Sequence, residues 1–372
     1  MSVNVSPSDV IGEGGFGCIH KPSLICNNNK KIIYKNKVSK LLLTEHAISE
    51  LKEYMLISDT DKKGEYFLGV PDLCVIKTTK TAMKSVQKCK RLIKKNNNKP
   101  ITKKNLQRYS VLIMNYGGID LEKFGLMCGR MTDTEKNRGI VADFWKETSR
   151  VLRGISTFQK NDIVHFDLKP HNIVYEKKAK RLNFIDFGHM TKLSTSMEKS
   201  MQNDNSFTRE AFWNYPFEVQ FLNRDKFIQT ASLSTEEKEE WYNRFLDDLQ
   251  SRNNTDFVIA YKTFMEMYTE NLLPEEQDRI QRIMQNDFLQ MLLNDITVEK
   301  YEDILEKSTK TIDIYGCGLT FKYMLNYTRH LLPESFVSRM NDLCYFMTTP
   351  DVSKRYKIDT VIEKHLQIIS LL

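Results

Sequence analysis

A chain of 372 residues with 41% hydrophobic content has room for one large domain or two smaller ones and is too apolar to be disordered throughout. Its net charge is +7. No apolar run approaches the ~18 residues of a membrane span, and the first residues lack the charged and apolar regions of a secretory leader. Cys18, Cys26, Cys74, Cys89, Cys128, Cys317 and Cys344 form no C-x-x-C pair. That scatter argues against a zinc site and a disulfide framework, and points to a reducing, cytoplasmic setting.

Residues 10–19 read V-I-G-E-G-G-F-G-C-I, with Gly12, Gly14 and Gly17 in G-x-G-x-x-G spacing. Glycine lets a backbone approach phosphates closely. The same spacing opens the helix of a dinucleotide-binding fold, but here it leads into Lys21-Pro22, a poor helix start. I-I-Y (32–34) and V-S-K-L-L-L (38–43) read as short strands around a polar turn, followed by a helix over 44–57.

Lys77 to Arg108 then holds Lys77, Lys80, Lys84, Lys88, Lys90, Arg91, Lys94, Lys95, Lys99, Lys103, Lys104 and Arg108 without a single acid. Two readings stay open for this stretch. One is a solvated, partly mobile insertion between two strands. The other is a patch for an anionic partner: acidic protein, a membrane surface or nucleic acid. Interleaved aromatics are lacking, which weakens the case for single-strand stacking.

Tyr109 to Tyr116 reads as a buried strand ending at Gly117-Gly118. Thr132 to Glu135 resembles a capping box. Val141, Phe144, Trp145, Thr148, Val151, Leu152, Ile155 and Phe158 then recur at spacings of three and four, the mark of an amphipathic helix facing a core.

That helix delivers I-V-H-F-D-L-K-P-H-N-I-V, residues 163–174. Asp167 lies two residues from Lys169 and five from Asn172, a polar run between apolar pairs. A hydroxyl attacking a phosphate needs a carboxylate to take its proton, a cation beside the transferred group and an oxygen ligand for Mg²⁺. I-V-Y and R-L-N-F-I form an expected hairpin around 176–180, and Asp186-Phe187-Gly188 comes directly after it. Residues 189–213, rich in Ser, Thr, Met and Asn, read as a mobile segment.

H-x-D-x-K-x-x-N with the D-F-G after it resembles the catalytic machinery of eukaryotic-type protein kinases. The resemblance implies an α+β fold: a small β-rich lobe over residues 1–116 above a large helical lobe over 117–372, with ATP and Mg²⁺ between them. It makes Asp167 and Lys169 catalytic and Asn172 and Asp186 the metal ligands. Ile11, Gly12, Glu13, Gly14, Gly15, Phe16, Gly17 and Ile19 become the nucleotide-covering loop. Val38-Ser39-Lys40 resembles the strand that carries the phosphate-holding lysine, with Lys35 and Lys37 as competitors. Its glutamate partner becomes Glu50, with Glu53 and Glu45 as alternatives, and Tyr54 would face the core one turn on. Met114 would back the adenine pocket, groups near Tyr116 would meet the adenine edge and Asp120 the ribose.

Tyr215-Pro216-Phe217-Glu218 resembles the A-P-E that closes the activation segment, with Glu218 expected to pair with Arg355. Asp313 to Gly318 resembles D-x-W-S-x-G, whose Asp supports the catalytic loop. Ser232 to Glu306, between these motifs, carries eighteen acids and seven bases and reads as an inserted helical subdomain within about 219–306. Phe166 stands where the family usually has Arg, which puts activation by phosphorylation in question.

The Asn-, Lys- and Ile-rich composition and the Y-P-x-E closure look most like serine/threonine kinases of large DNA viruses, the poxvirus and giant-virus groups. The resemblance would bring protein substrates, a host-cytoplasmic site and packaging in the virion. A small-molecule or lipid phosphotransferase of the same fold, and a catalytically silent scaffold, are the alternatives.

Overall fold

The computed structural model describes residues 8–14, 16–27, 32–204, 212–251 and 255–372. The chain is a mixture of helix and sheet in two compact units, Met1–Gly117 and Gly118–Leu372.

The first unit contains β1 (Asp9–Glu13), β2 (Gly17–Lys21), β3 (Lys37–Leu43), α1 (Thr44–Thr60), β4 (Asp72–Cys74), α2 (Lys80–Val86), α3 (Lys90–Lys95), α4 (Lys103–Leu106) and β5 (Tyr109–Asn115). Its strands form one antiparallel sheet in the order β1-β2-β3-β5-β4. β3 and β5 are its centre. Five consecutive residues of β3 and six of β5 are buried, the near-continuous apolar signature of strands covered on both faces. α1 buries Ala47, Glu50, Tyr54 and Ile57, one stripe at helical spacing.

The expected strand at I-I-Y is not formed. Residues 32–34 run as coil, with Ile33 exposed and the Tyr34 hydroxyl accepting from the Cys26 N–H at 3.0 Å. β2 already pairs on both edges, with β1 and β3, so the sheet offers that segment no place there.

The basic stretch is an ordered piece of the unit. Thr79 caps α2 by accepting from the Ala82 N–H, and Thr102 caps α4 by accepting from the Asn105 N–H. Val86, Cys89, Leu92, Ile101 and Leu106 are buried in a cluster with Cys18, Leu41 and Val111. All twelve cations of the stretch are exposed.

The cysteine reading is also overturned. Cys18–Cys89 and Cys26–Cys74 are disulfides, with Cα atoms 5.9 and 5.7 Å apart across 71 and 48 residues of chain. Separations of that size leave no local trace in sequence, because the sheet and the helical insertion, not the loop lengths, bring these pairs together. Cys128, Cys317 and Cys344 are buried thiols.

The second unit contains β6 (Ile119–Asp120), α5 (Leu121–Cys128), α6 (Glu135–Lys160), β7 (Ile163–Val164), β8 (Ile173–Glu176), β9 (Arg181–Phe184), β10 (Thr191–Lys192), α7 (Leu193–Met201), α8 (Arg224–Ala231), α9 (Thr235–Gln250), α10 (Asp256–Thr269), α11 (Pro274–Asn294), α12 (Tyr301–Thr328), α13 (Glu334–Thr348) and α14 (Ile358–Ile369). α6 starts at Thr134, which accepts from the Asn137 N–H; this cap lies two residues past the expected one. α6 buries all eight residues of its predicted stripe.

α12 is the axis of this unit. It is buried on every side from Thr311 to Thr328, as a helix enclosed by others must be, and packs against α5, α6, α10 and α13. α9, α10 and α11 form the acidic insertion. Their apolar faces bring Phe245, Tyr261, Phe264 and Phe288 together around Phe217. The segment expected to be mobile contains α7, whose Leu193, Ser196 and Ser200 are buried.

Removing one disulfide tests how far the covalent tie matters. Replacing Cys18 and Cys89 together by Ala should cost about 2–5 kcal/mol in urea unfolding, the usual loss for a native disulfide. Mass measurement of the alkylated native chain should show four of its seven cysteines protected; seven alkylated cysteines would contradict the pairing.

Candidate active site

In the first unit, β1 and β2 form the hairpin of the glycine motif. Ile11, Gly12 and Glu13 lie on β1, Gly17 and Ile19 on β2, with Gly14 and Phe16 at the turn. Gly15 lies outside the described residues. At Gly17 a Cβ would stand 2.0 Å from the Leu41 carbonyl oxygen, so the packing of β2 on β3 admits only glycine there. Phe16 is exposed and its ring meets His46, centroids 4.8 Å apart.

Lys40 projects from the sheet centre and pairs with Glu50 of α1, its Nζ 2.8 Å from Oε1 and 2.7 Å from Oε2. Both are buried, at 7% and 5% exposure, so each charge needs the other. Lys40 and Glu50 are the lysine and glutamate that the sequence reading preferred, and they meet as a pair. Tyr54, one turn along α1, is buried with its hydroxyl toward the Met114 sulfur. Ile19, Val38, Met114 and Tyr116 share one apolar cluster; Met114 and Tyr116 are the two expected near an adenine. The Tyr116 N–H donates to the Asn36 carbonyl at 3.0 Å, so this amide is already used within the unit.

In the second unit the loop after β7 is built around Asp167. Lys169 Nζ lies 2.7 and 2.8 Å from its two carboxylate oxygens. Asn172 Nδ2 donates to Asp167 Oδ2 at 2.7 Å and to its main-chain carbonyl at 2.8 Å. The three residues picked from the motif thus meet side chain to side chain.

Asp186 is brought alongside by a hairpin. The register Ile173 opposite Phe184 puts Asn172 opposite Ile185, whose N–H donates to the Asn172 carbonyl at 3.0 Å. Asp186 comes next with φ +60°, a left-handed conformation that Asp tolerates better than most residues. Asp120, expected at a ribose, makes these contacts within its own unit. It caps α5 by accepting from the Lys123 N–H and also pairs with the Lys123 ammonium.

A second layer holds the loop. Asp313 on α12 accepts from the main-chain N–H groups of His165 at 2.8 Å and Phe166 at 3.0 Å. Complete burial pushes its carboxyl up to about 7, against the pull of those two donors. Gly316 lies one turn along: a Cβ there would sit 2.3 Å from the Leu168 carbonyl oxygen. His165 Nδ1 accepts from the Asp167 N–H, so Nε2 carries the proton toward the Ile185 carbonyl. Burial brings the His165 pKa down to about 4, which keeps this ring neutral at physiological pH.

Phe166 is 4% exposed and packs edge-on against Tyr215, ring centroids 6.0 Å apart. Glu218 receives two Arg355 donors, at 2.6 and 3.0 Å, and the Ser308 hydroxyl at 2.7 Å, with both charged side chains fully buried.

Asn214 escaped the sequence reading. Its Nδ2 donates to Asp167 Oδ1 at 3.1 Å and approaches the Leu168 carbonyl. The available signal was a lone amide in the aromatic run F-W-N-Y-P-F, since a polar side chain buried among rings needs a partner.

Asn172 and Asp186 could hold a hard divalent cation. The Asn172 amide nitrogen is spent on Asp167, so oxygen is the atom it can present, and Asp186 adds a carboxylate. All-oxygen donors suit Mg²⁺.

Residues 78–210 match the family described as protein kinase domain. The match spans about a third of the chain, from the basic helices through the loop of Asp167 and past Asp186. Over that part the chain is similar to protein kinase domains. No curated protein matches the chain. No described helix is long and apolar enough to cross a membrane.

The buried Glu218–Arg355 pair gives a stability test of this layer. Glu218→Ala strands a buried guanidinium and should cost about 3–5 kcal/mol in urea unfolding, whereas Glu218→Ala combined with Arg355→Met should recover most of that loss. Equal stability of the single variant and the parent would contradict the pairing.

Proposed function

We propose that the chain is an ATP-dependent serine/threonine protein kinase, of the kind found in large DNA viruses. The observation that carries the reading is the convergence of Lys169, Asn172 and Asn214 on the Asp167 carboxylate. A carboxylate steered by three side chains from two segments is suited to orient an attacking hydroxyl and take its proton.

In the proposed reaction an acceptor Ser or Thr oxygen bonds to the γ-phosphorus of ATP. The bond from that phosphorus to the β–γ bridging oxygen breaks, ADP leaves, and the hydroxyl proton passes to Asp167. Lys169 lies on the Asp167 oxygens, where it can also neutralise charge on the moving group. Lys40, fixed by Glu50, and the hairpin from Ile11 to Ile19 hold the nucleotide, with Met114 and Tyr116 toward its base and Asp120 toward its ribose. Asn172 and Asp186 would hold Mg²⁺, which when bound draws charge from the phosphates. The Ser/Thr assignment rests on Lys169, which tyrosine-specific relatives and small-molecule phosphotransferases of this fold usually lack.

Incubation of the purified chain with labelled ATP and generic acceptor proteins, followed by phosphoamino-acid analysis, should yield phosphoserine and phosphothreonine. Absence of labelled protein would end the kinase reading. Asp167→Asn should abolish transfer while leaving ATP affinity near the parental value, because Asp167 acts on the acceptor and the nucleotide is held elsewhere. Turnover close to parental in this variant would remove Asp167 from its role.

Activation should not require a phosphate on the 189–213 segment. Phe166 supplies no cation to receive one and is packed against Tyr215. Ser196 and Ser200 are buried in α7, which leaves Ser194 and Thr195 among the described candidates; Ser206 and Thr208 lie outside the described residues. Phosphatase-treated enzyme should keep its initial rate on a peptide. A complete loss, restored by phosphate at one of these positions, would contradict this.

A further inference from the structure

The helical insertion of the first unit has two faces of opposite character. Val86, Cys89, Leu92, Ile101 and Leu106 anchor it in the core, and the Cys18–Cys89 disulfide ties it to β2. Its outward surface carries twelve exposed cations and no carboxylate of its own. β1 supplies the acids seen to meet it: Asp9 pairs with Lys88, and Glu13 accepts from the Lys90 N–H at 3.0 Å. Lys95 lies over the Phe16 ring, and both burial and the nearby Arg91 lower its pKa. A concentration of like charge on a fixed backbone raises the free energy of the unbound surface and is relieved by an anionic partner.

We propose that the exposed basic face of α2, α3 and α4 is a docking surface for acidic protein segments. The proposal rests on the kinase reading and names a substrate class for it: proteins whose acceptor Ser or Thr is accompanied by a run of Asp or Glu. The make-up of the face favours this partner over other polyanions. None of its own large hydrophobic side chains is exposed, and Phe16 of the neighbouring hairpin is the one exposed ring seen beside it, too little to stack a run of unpaired bases or to enter a bilayer. Ten of the twelve cations between Lys77 and Arg108 are lysines, flexible point charges without the planar fork that grips phosphate bidentately. Its three helices are seven, six and four residues long, and none presents the continuous helix that reads a major groove. Mobile ammonium groups spread over a rigid base suit an extended acidic peptide.

The test uses the full chain and two labelled peptides: a Glu-rich peptide containing one Ser, and the same peptide with Gln for every Glu. Binding is read by fluorescence anisotropy without ATP, and phosphorylation separately with ATP. Lys80, Lys84, Lys99, Lys103 and Lys104, all exposed, are replaced together by Gln. The parent should bind the Glu-rich peptide and lose affinity as salt rises, since such attraction is screened within about 8–10 Å at physiological ionic strength.

The variant should bind that peptide about tenfold more weakly, the combined effect of several exposed charge pairs. Its KM for the Glu-rich acceptor should rise in step with kcat unchanged, and its kinetics on the Gln peptide should match the parent. An unchanged affinity in the variant overturns the proposal. So does parental binding that is tighter to a DNA duplex or a phosphatidylserine vesicle than to the peptide. A chain that binds the peptide with the expected salt and variant dependence but transfers no phosphate keeps the surface and overturns the kinase reading. An active chain whose affinity the variant does not change does the reverse.

Discussion

A buried carboxylate without a cation beside it organises the second unit. Asp313 stands on the helix most deeply enclosed by its neighbours and spends its two oxygens on consecutive main-chain N–H groups, those of His165 and Phe166. Two amides held by one side chain leave the loop little freedom. Phe166 is thereby kept at φ +69°, an uncommon conformation for a bulky residue that costs roughly 1–3 kcal/mol and persists only when its surroundings over-determine it. The bend turns the chain so that Asp167 faces Lys169, Asn172 and Asn214, while the missing Cβ of Gly316 allows α12 to lie against the Leu168 carbonyl.

Charges are treated in three ways in this molecule, and each treatment has its own consequence. Lys40–Glu50 and Glu218–Arg355 are buried and mutually compensated, one pair in each unit. Pairs of this kind contribute little net stability over apolar replacements, but they tolerate no loss of one partner, and so they fix geometry. Asp167 is buried among neutral amides and one ammonium, which fix the directions of its two oxygens. The basic helices are the opposite case: charges kept in water on a base held by apolar contacts and a disulfide.

Phe166 fits this pattern. A cation in the loop would call for an anion from the segment after it. Phenylalanine is satisfied by packing against Tyr215, in the same core that receives Leu193 of α7 and Phe217. Among the described residues, this part of the chain is held by apolar contact and by the buried Glu218–Arg355 pair.

The sequence by itself determined the features that local spacing sets. The stripe of α6 and the buried runs of β3 and β5 come from periodicity, and the hairpin from Ile173 to Phe184 from apolar runs around a polar turn. The meeting of Asp167, Lys169 and Asn172 was legible because residues two and five apart in a tight loop have few ways to avoid one another. Lys40 and Glu50 were legible as candidates among rivals, and only the fold shows them buried together as a pair.

Tertiary structure alone decided the rest. Asn214 reaches Asp167 from 47 residues away. Cys18 finds Cys89 across 71 residues because the insertion packs on β2, and the basic stretch is ordered because its scattered apolar residues converge on that same core. Asp120 was drawn into capping α5, and Ser196 and Ser200 were enclosed when α7 formed. Chain order constrains which residues can be neighbours over a few positions. Over tens of residues that choice belongs to burial, which depends on surfaces that exist only once the chain has folded.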